Sequence, residues 1–295
     1  MQDNLIKAIT KDGYFRAYAI NGTHLVSQSA QTHQTSRLGG VVLGRGLLAT
    51  LLTANAVLKG EERLSITING RGPIGNLVVE ANAKGSVRGY VTNPQIENIT
   101  DDAGHLSVGQ AVGQNGFLQI TKFAPYSDPY IGQIQLATGE IGDDFTYYLA
   151  QSEQIPSVVG VSVYMNEDDT VSLAGGFLIQ GLPGVTESAL RQLEESLAQL
   201  PALPDMLKAG LTPLQVLEKI FGMDALDVLV DEPVGLASEP TKAEYAKMLG
   251  NLSANELQNM IDEDHGAEVV GKFSGKKYFF DEDELKVILK EIESK

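Results

Sequence analysis

The stretch from Leu38 to Leu58 constrains the fold most, because almost every residue in it is apolar or small. It is long enough to span a bilayer, and its Gly40-x-x-x-Gly44 spacing is typical of packed membrane helices. Arg45 and Asn55 interrupt it, and a charge near the middle of a membrane helix costs about 2.5–3.5 kcal/mol on insertion scales. No other segment resembles a membrane span, so the sequence predicts a helix buried in a protein core.

Short β-like runs separated by Gly, Asn, Asp and Pro dominate the region that follows. The candidate strands are residues 64–68, 75–80, 87–91, 117–122, 158–164 and 171–180. A further helix is predicted from Asp143 to Ser152. Runs of this kind favour antiparallel sheet, and an apolar helix with no polar face must lie against or inside it. The predicted fold class is therefore α+β, with a mainly antiparallel N-terminal sheet domain around a long buried helix.

After Pro183 the pattern changes to helices that each carry one apolar stripe. The first stripe is Leu190, Leu193, Leu197 and Leu200, and Pro201 and Pro204 end its helix. The second helix begins at Thr212 with Pro213 in its first position, and its stripe is Leu214, Leu217, Ile220 and Phe221. These helices predict a connecting layer.

Three capping signals mark the C-terminal region. Thr241 with Glu244, Ser253 with Glu256, and Asp281 with Glu284 each place an acidic residue three positions after a cap, which predicts three helix starts. A hairpin with Ser274-Gly275 at its turn is predicted between the second and third helices. We therefore expect an N-terminal α+β domain over 1–182, a helical linker over 183–232, and a small helix, hairpin and helix module over 233–295.

The charge and the lack of cysteine exclude several function classes. With 22 Lys and Arg against 38 Asp and Glu, the net charge is −16 and no basic stripe is present, so neither nucleic acid nor an anionic membrane is an expected partner. The absence of cysteine excludes disulfides, thiolate nucleophiles, iron–sulfur clusters and cysteine-built zinc sites. The first ten residues lack the pattern of a secretion signal, which favours a cytoplasmic location.

No catalytic constellation is evident. The glycine clusters fail the context of a phosphate-binding loop, and the four histidines form no zinc motif. Ser274-Gly275-Lys276-Lys277 matches the Ser-x-x-Lys pattern, but it lies in a predicted hairpin turn, whereas that chemistry needs the serine at a helix start. Adjacent carboxylates such as Asp143 and Asp144 are typical of helix caps. We predict no catalytic residues and no enzyme activity.

Ordered motifs along nearly the whole chain are similar to those of one known family. They are His33-Gln34-Thr35, Leu43-Gly44-Arg45, Gly72-Pro73-Ile74-Gly75, Arg88-Gly89-Tyr90-Val91, Asn93-Pro94, Pro129-Tyr130-Ile131-Gly132, Gly139-Glu140-Ile141-Gly142-Asp143-Asp144, Tyr148-Leu149, Ser152-Glu153-Gln154, Ala174-Gly175-Gly176-Phe177-Leu178-Ile179-Gln180 and Leu182-Pro183-Gly184. In these motifs the chain resembles the 33 kDa chaperonins, the bacterial stress-response holdases also called heat shock protein 33. The resemblance implies an ATP-independent chaperone of the cytoplasm that binds unfolding client proteins and often forms a homodimer. It also implies a C-terminal zinc-binding redox module.

The chain departs from this family at that module. The family ligates zinc with Cys-x-Cys and, after about thirty residues, Cys-x-x-Cys; the flanking motifs put Ser238 and Pro240 at the first pair and Gly271 and Ser274 at the second. Glycine and proline side chains have no ligand atom, and two neutral hydroxyls cannot replace four thiolates. We therefore predict no cofactor, no zinc and no disulfide switch, but a folded module.

Apolar residues must then stabilise the module without metal. The candidates, packed as hairpin against helix, are Val269, Phe273, Tyr278, Phe279, Phe280, Leu285, Ile288, Leu289 and Ile292.

Two hypotheses for function follow. The first is a holdase that needs no thiol, whose client surface is always exposed or opens on heating; its candidate client-binding residues are Leu190, Leu193, Leu197, Leu200, Leu214, Leu217 and Phe221. The second is a non-chaperone interaction or scaffold protein that binds one dedicated partner through its acidic C-terminal module. A small-molecule enzyme in the sheet domain is a third hypothesis, with no constellation behind it. For the leucine stripes the ordinary interpretation is core packing.

Overall fold

The described residues, 2–293 in a computed structural model, divide into two units, the first ending at Ala237 and the second beginning at Ser238. In chain order the first unit contains β1 Asn4–Thr10, β2 Phe15–Asn21, α1 Thr23–Thr32, α2 Arg37–Val57, β3 Arg63–Asn69, β4 Leu77–Asn82, β5 Ser86–Val91, α3 Val108–Val112, β6 Phe117–Phe123, β7 Tyr130–Gln135, α4 Gly142–Gln151, β8 Ser157–Met165, β9 Val171–Gly181, α5 Glu187–Gln199, α6 Leu203–Lys208, α7 Pro213–Phe221, β10 Leu226–Pro233 and β11 Gly235–Leu236. The second contains α8 Lys242–Leu249, α9 Ala254–Asp262, β12 Gly266–Val270, β13 Lys277–Asp281 and α10 Glu282–Glu293.

The strands of the first unit form two sheets. One has the strand order β10-β1-β2-β9-β8 and is antiparallel throughout. The other has the order β11-β5-β4-β3-β6-β7 and is antiparallel except where the short β11 joins β5 in parallel. All six strands expected from the sequence are present within two residues of their predicted ends, so the α+β prediction is confirmed.

Helix α2 is the core helix that the sequence predicts. It contacts β4 and β5 of one sheet and β8 and β9 of the other, and it is the one helix in the described part of the chain long and apolar enough to cross a membrane. Its glycines allow close packing: a Cβ at Gly44 would lie 2.5 Å from Val26 Cγ1, and one at Gly46 would lie 2.6 Å from Leu77 Cδ2. The small residues therefore bring α2 against α1 and β4 within the fold.

The region predicted as a helical linker, 183–232, lies in the first unit and is not helical throughout. Helices α5, α6 and α7 are followed by β10, which pairs with β1 along its whole length. The sequence did not predict this strand, because its acidic residues and Pro233 are also typical of a boundary. The β-branched residues Val228 and Val230 supply the strand propensity instead.

In the second unit the three predicted helix starts are confirmed. Thr241 Oγ1 accepts a hydrogen bond from the Glu244 backbone N–H at 3.3 Å, and Ser253 Oγ accepts one from Glu256 at the same distance. Asp281 Oδ1 accepts a bond from the Glu284 N–H at 2.9 Å. The buried core consists of Leu257, Ile261, Phe280, Leu285, Ile288 and Leu289.

For one residue, Phe279, the prediction that it lies in the core of this unit is wrong. Phe279 is 60% exposed, whereas Phe280 is 1% exposed. Both lie on β13, and successive side chains of a strand point to opposite faces. The inward face of β13 takes Phe280, so Phe279 must face outward.

Candidate functional site

Helices α5, α6 and α7 cover one apolar face of the five-stranded sheet. The sheet supplies buried Ile6, Ala8, Ala17, Ala19, Phe177 and Ile179, and the helices supply buried Met206, Val216, Leu217 and Ile220. We call this layer the covered face. It is separate from the core around α2, because β1, β2 and β9 present one side to each cluster.

The structure brings six of the seven candidate client-binding residues into the covered face. Five of them, Leu190, Leu193, Leu197, Leu200 and Phe221, are half-buried against the cluster, and Leu217 is 0% exposed. The seventh, Leu214, is half-buried beside a groove of about 650 Å³ next to the start of β1 and the end of β10. As folded, these side chains are therefore largely covered.

The outermost helix of this layer is held weakly. Helix α5 has no buried residue, and its leucine stripe is only half covered. A fully buried leucine contributes about 1.5–3 kcal/mol, and partial burial contributes a fraction of that. The main contact of α5 is with α7, so α5 packs on the outside of the layer. Elements with little apolar burial are the first to open locally.

The positions aligned with the family's zinc ligands lie in the second unit, where two of them meet. A Cβ atom at Gly271 would lie 2.9 Å from Ser274 Oγ, 2.6 Å from the Tyr245 hydroxyl and 2.5 Å from Glu239 Oε1. Glu239 stands between Ser238 and Pro240 in sequence. Residues 239, 271 and 274 therefore converge, and a side chain at 271 would require its neighbouring side chains to shift.

Tyrosine and glutamate side chains occupy the space around Gly271. The Tyr245 hydroxyl donates to Glu239 Oε1 at 3.0 Å, and the Tyr278 hydroxyl donates to the Pro240 carbonyl at 3.1 Å. The two tyrosine rings are 5.1 Å apart between centroids and tilted by 40°, a favourable aromatic geometry. We call Glu239, Tyr245, Ser274 and Tyr278 the tyrosine cluster; it connects the segment before α8, α8 itself and the hairpin.

Backbone hydrogen bonds close the loop between the hairpin strands. The Gly271 carbonyl accepts from the Ser274 N–H at 3.2 Å and from the Gly275 N–H at 2.7 Å, and the Gly271 N–H donates to the Lys276 carbonyl at 2.9 Å. Ser274 Oγ accepts from the Lys276 N–H at 3.1 Å. Gly275 has φ +68°, a conformation that glycine adopts without strain. Peptide groups thus hold this turn.

The donor set here does not fit zinc. It offers one carboxylate and hydroxyl groups, whereas structural zinc takes four thiolate or imidazole ligands. Within residues 2–293 no three His, Cys, Asp or Glu side chains are grouped so that they could hold a metal ion.

Three glutamates at the helix caps of the second unit have lowered pKa values. Hydrogen bonds from Thr241 and Ser253 lower the pKa values of Glu244 and Glu256 from the ordinary carboxyl value of 4.5, and the Lys242 ammonium, 2.6 Å away, does the same to the pKa of Glu284. A lowered pKa means that the folded state favours the charged form. The stability these caps contribute is therefore present at neutral pH and is lost as the pH falls through the lowered pKa values.

The sequence does not predict the sheet side of the covered face or the tyrosine cluster. Strands β1 and β2, which form the sheet side of the covered face, were not predicted, because alanines at positions 8, 17 and 19 weaken the β signal. The tyrosine cluster joins residues as many as 38 positions apart, and no spacing rule predicts such hydrogen bonds.

Comparison with known proteins gives a consistent result. Residues 3–281 match the Hsp33 protein family. A 33 kDa chaperonin of Limosilactobacillus fermentum is 46% identical over 98% of this chain and 99% of its own, and one of Geobacillus kaustophilus is 44% identical over 97% of each. The crystal structure of the 33 kDa chaperonin (heat shock protein 33 homolog) of Thermotoga maritima superposes with a TM-score of 0.90 at 30% identity, covering 100% of both chains.

Proposed function

Because the chain belongs to the Hsp33 family, we propose that it is an ATP-independent holdase of the cytoplasm that captures unfolding proteins without a cysteine and zinc switch. Its full-length relatives carry the name 33 kDa chaperonin, which supports a chaperone role. The observation that carries the proposal is the covered face, an apolar sheet surface under weakly held helices.

Capture in this proposal begins when the helical layer opens. Lifting α5 uncovers the stripe Leu190, Leu193, Leu197 and Leu200 together with the side of α7 against which it packs, and opening of α6 and α7 would expose the sheet. A contiguous exposed apolar surface is typical of a protein-binding site. We assign client binding to these leucines, to Leu214, Leu217 and Phe221, and to the sheet face that they cover.

Heat is the proposed trigger. A chain without cysteine has no thiol to oxidise, so peroxide cannot open the layer through a disulfide. Local opening becomes more populated as the temperature approaches the melting transition.

We expect the protein to suppress aggregation of a heat-labile client equally well with and without peroxide. The measurement is light scattering of the client at its unfolding temperature, over a range of ratios of protein to client, with no ATP added. An unrelated acidic protein of similar size controls for crowding and charge. Suppression only after peroxide would contradict thiol independence. No suppression, together with pull-down of one stoichiometric partner, would favour the scaffold hypothesis.

We propose further that the second unit folds without metal. Its melting transition is expected to be unchanged by a strong chelator, because the tyrosine cluster and the apolar core replace the ligands. Elemental analysis of the purified protein should give far less than one zinc per chain, with a known zinc protein measured alongside. Stoichiometric zinc, or a transition lowered by the chelator, would overturn this proposal.

A further inference from the structure

A large cavity in the first unit is lined by more cations than the composition of this acidic chain suggests. Its volume is about 900 Å³, and it lies between α2, β8, the loop around residues 98–106, and α6. Arg37, Arg45 and Lys208 line it together with His105, and Asp205 is its one carboxylate. The chain as a whole has a net charge of −16. We call this site the basic cavity.

Arg45 is the guanidinium that interrupts the apolar helix α2. Its side chain is 22% exposed, and its Nη1 donates to Glu140 Oε2 at 2.8 Å. Glu140 Oε1 is already engaged by the Gly109 N–H at 2.9 Å. Arg45 Nε is buried and has no hydrogen-bond partner among the described residues. The ion pair with Glu140 therefore uses only part of the hydrogen-bonding capacity of this guanidinium.

Lys208 supplies a second charge from a different element. It ends α6, and its ammonium lies 4.0 Å from the centroid of the Tyr164 ring on β8. Among residues 2–293 no carboxylate forms an ion pair with it. The cation–π contact positions the ammonium at the cavity without neutralising its charge.

Arg37 contributes a third cation from the start of α2. Its Nη2 donates to the Met165 carbonyl at 3.3 Å, and its Nη1 lies 3.6 Å from Asp169 Oδ1. These contacts fix the side chain beside the cavity.

We propose that the basic cavity binds a small anion whose phosphate or carboxylate oxygens pair with Arg45 and Lys208. Guanidinium groups match the geometry of both kinds of oxygen. The volume lies within the range of about 300–1,000 Å³ that is usual for small-molecule sites. A concave site with three cations, two on α2 and one on α6, suits a compact ligand of two or more negative charges.

Such a ligand would connect α6 to α2 and β8. A molecule that binds only this arrangement raises its stability in proportion to the logarithm of ligand concentration over Kd. If the proposed holdase function is correct, the ligand would also delay opening of the helical layer and raise the temperature at which clients are captured. The binding itself does not depend on that function.

The test is isothermal titration calorimetry on the full-length protein with inorganic phosphate, glycerol 3-phosphate and citrate, at constant ionic strength set with chloride. We expect saturable binding, and the ranking of the three probes distinguishes phosphate from carboxylate recognition. Lys208→Gln is expected to weaken binding about fivefold to tenfold, the equivalent of one charge-assisted hydrogen bond. Asp205→Asn, which removes the one carboxylate of the cavity, should tighten it.

The matched control is Lys219→Gln, since Lys219 is an exposed lysine near the end of α7 that does not line the cavity. It should leave the affinity for all three probes unchanged. Equal weakening by the two lysine substitutions would overturn the proposal in favour of diffuse charge attraction. So would the absence of saturation by any probe up to about 10 mM, a concentration tenfold above a millimolar Kd. Because no client protein is present, failure here is distinct from failure of the holdase proposal.

Discussion

Replacing Phe280 with alanine is expected to unfold the second unit while the first unit stays folded. Phe280 is 1% exposed and lies in a core of only six buried side chains. Truncating a buried phenylalanine costs about 3–5 kcal/mol. One hydrophobic core in a unit of this size rarely supplies more than about 3–5 kcal/mol of stability, so the substitution is expected to remove most or all of it.

Hydrogen exchange resolved along the chain measures this outcome. Amides of 238–293 should lose protection in Phe280→Ala, while those of α2 and the two sheets keep it. The matched control is Phe279→Ala, a substitution of the neighbouring residue, which is 60% exposed; it should cost less than about 1 kcal/mol. Protection of the second unit that survives Phe280→Ala would mean that something other than this core holds it.

Replacing Leu217 with alanine is expected to loosen the helical layer and lower the temperature at which clients are captured. Leu217 is 0% exposed on α7, which contacts β1, β2 and β9. Leucine to alanine at a buried site costs about 2–5 kcal/mol. Because Leu217 is one of seven candidate client contacts, removing it should weaken capture less than opening the layer increases it.

Two measurements on Leu217→Ala are informative together: the melting temperature, expected to fall, and aggregation suppression at a temperature where the wild-type protein is inactive, expected to rise. Leu214→Ala, a half-buried position beside the groove, serves as control and should change both less. A destabilised Leu217→Ala with unchanged or lower capture at every temperature would contradict opening of the covered face as the route to client binding.

The sequence predicted elements whose signals are local. The caps at Thr241, Ser253 and Asp281 need only residues three positions apart, and all three helices begin there. Helix α2 was predicted from an apolar stretch that no surface helix tolerates. The strands rich in alanine, β1 and β2, and the strand β10 were missed, because their pairing partners rather than their own residues determine them.

The candidate sites depend on contacts between distant residues, which limited their prediction. The family resemblance assigned Ser238, Pro240, Gly271 and Ser274 to one place, but the Glu239 side chain that contacts Tyr245 gave no signal of its own. Likewise, the sequence shows Arg45 only as a charge that interrupts the apolar stretch of α2. Its place in a cavity with Lys208 follows from the packing of α6 against β8.

The crowding around Gly271 determines what a cysteine at this position would contact. A mutation that restored one cysteine there would force its Cβ to within 2.6 Å of the Tyr245 hydroxyl and 2.5 Å of Glu239 Oε1, closer than such atoms approach without rearrangement. Such a mutant would have one thiol, whereas a structural zinc site needs four ligands. A thiol at position 271 could therefore reach a ligand geometry only after the Glu239 and Tyr245 side chains had turned away and their hydrogen bond had broken.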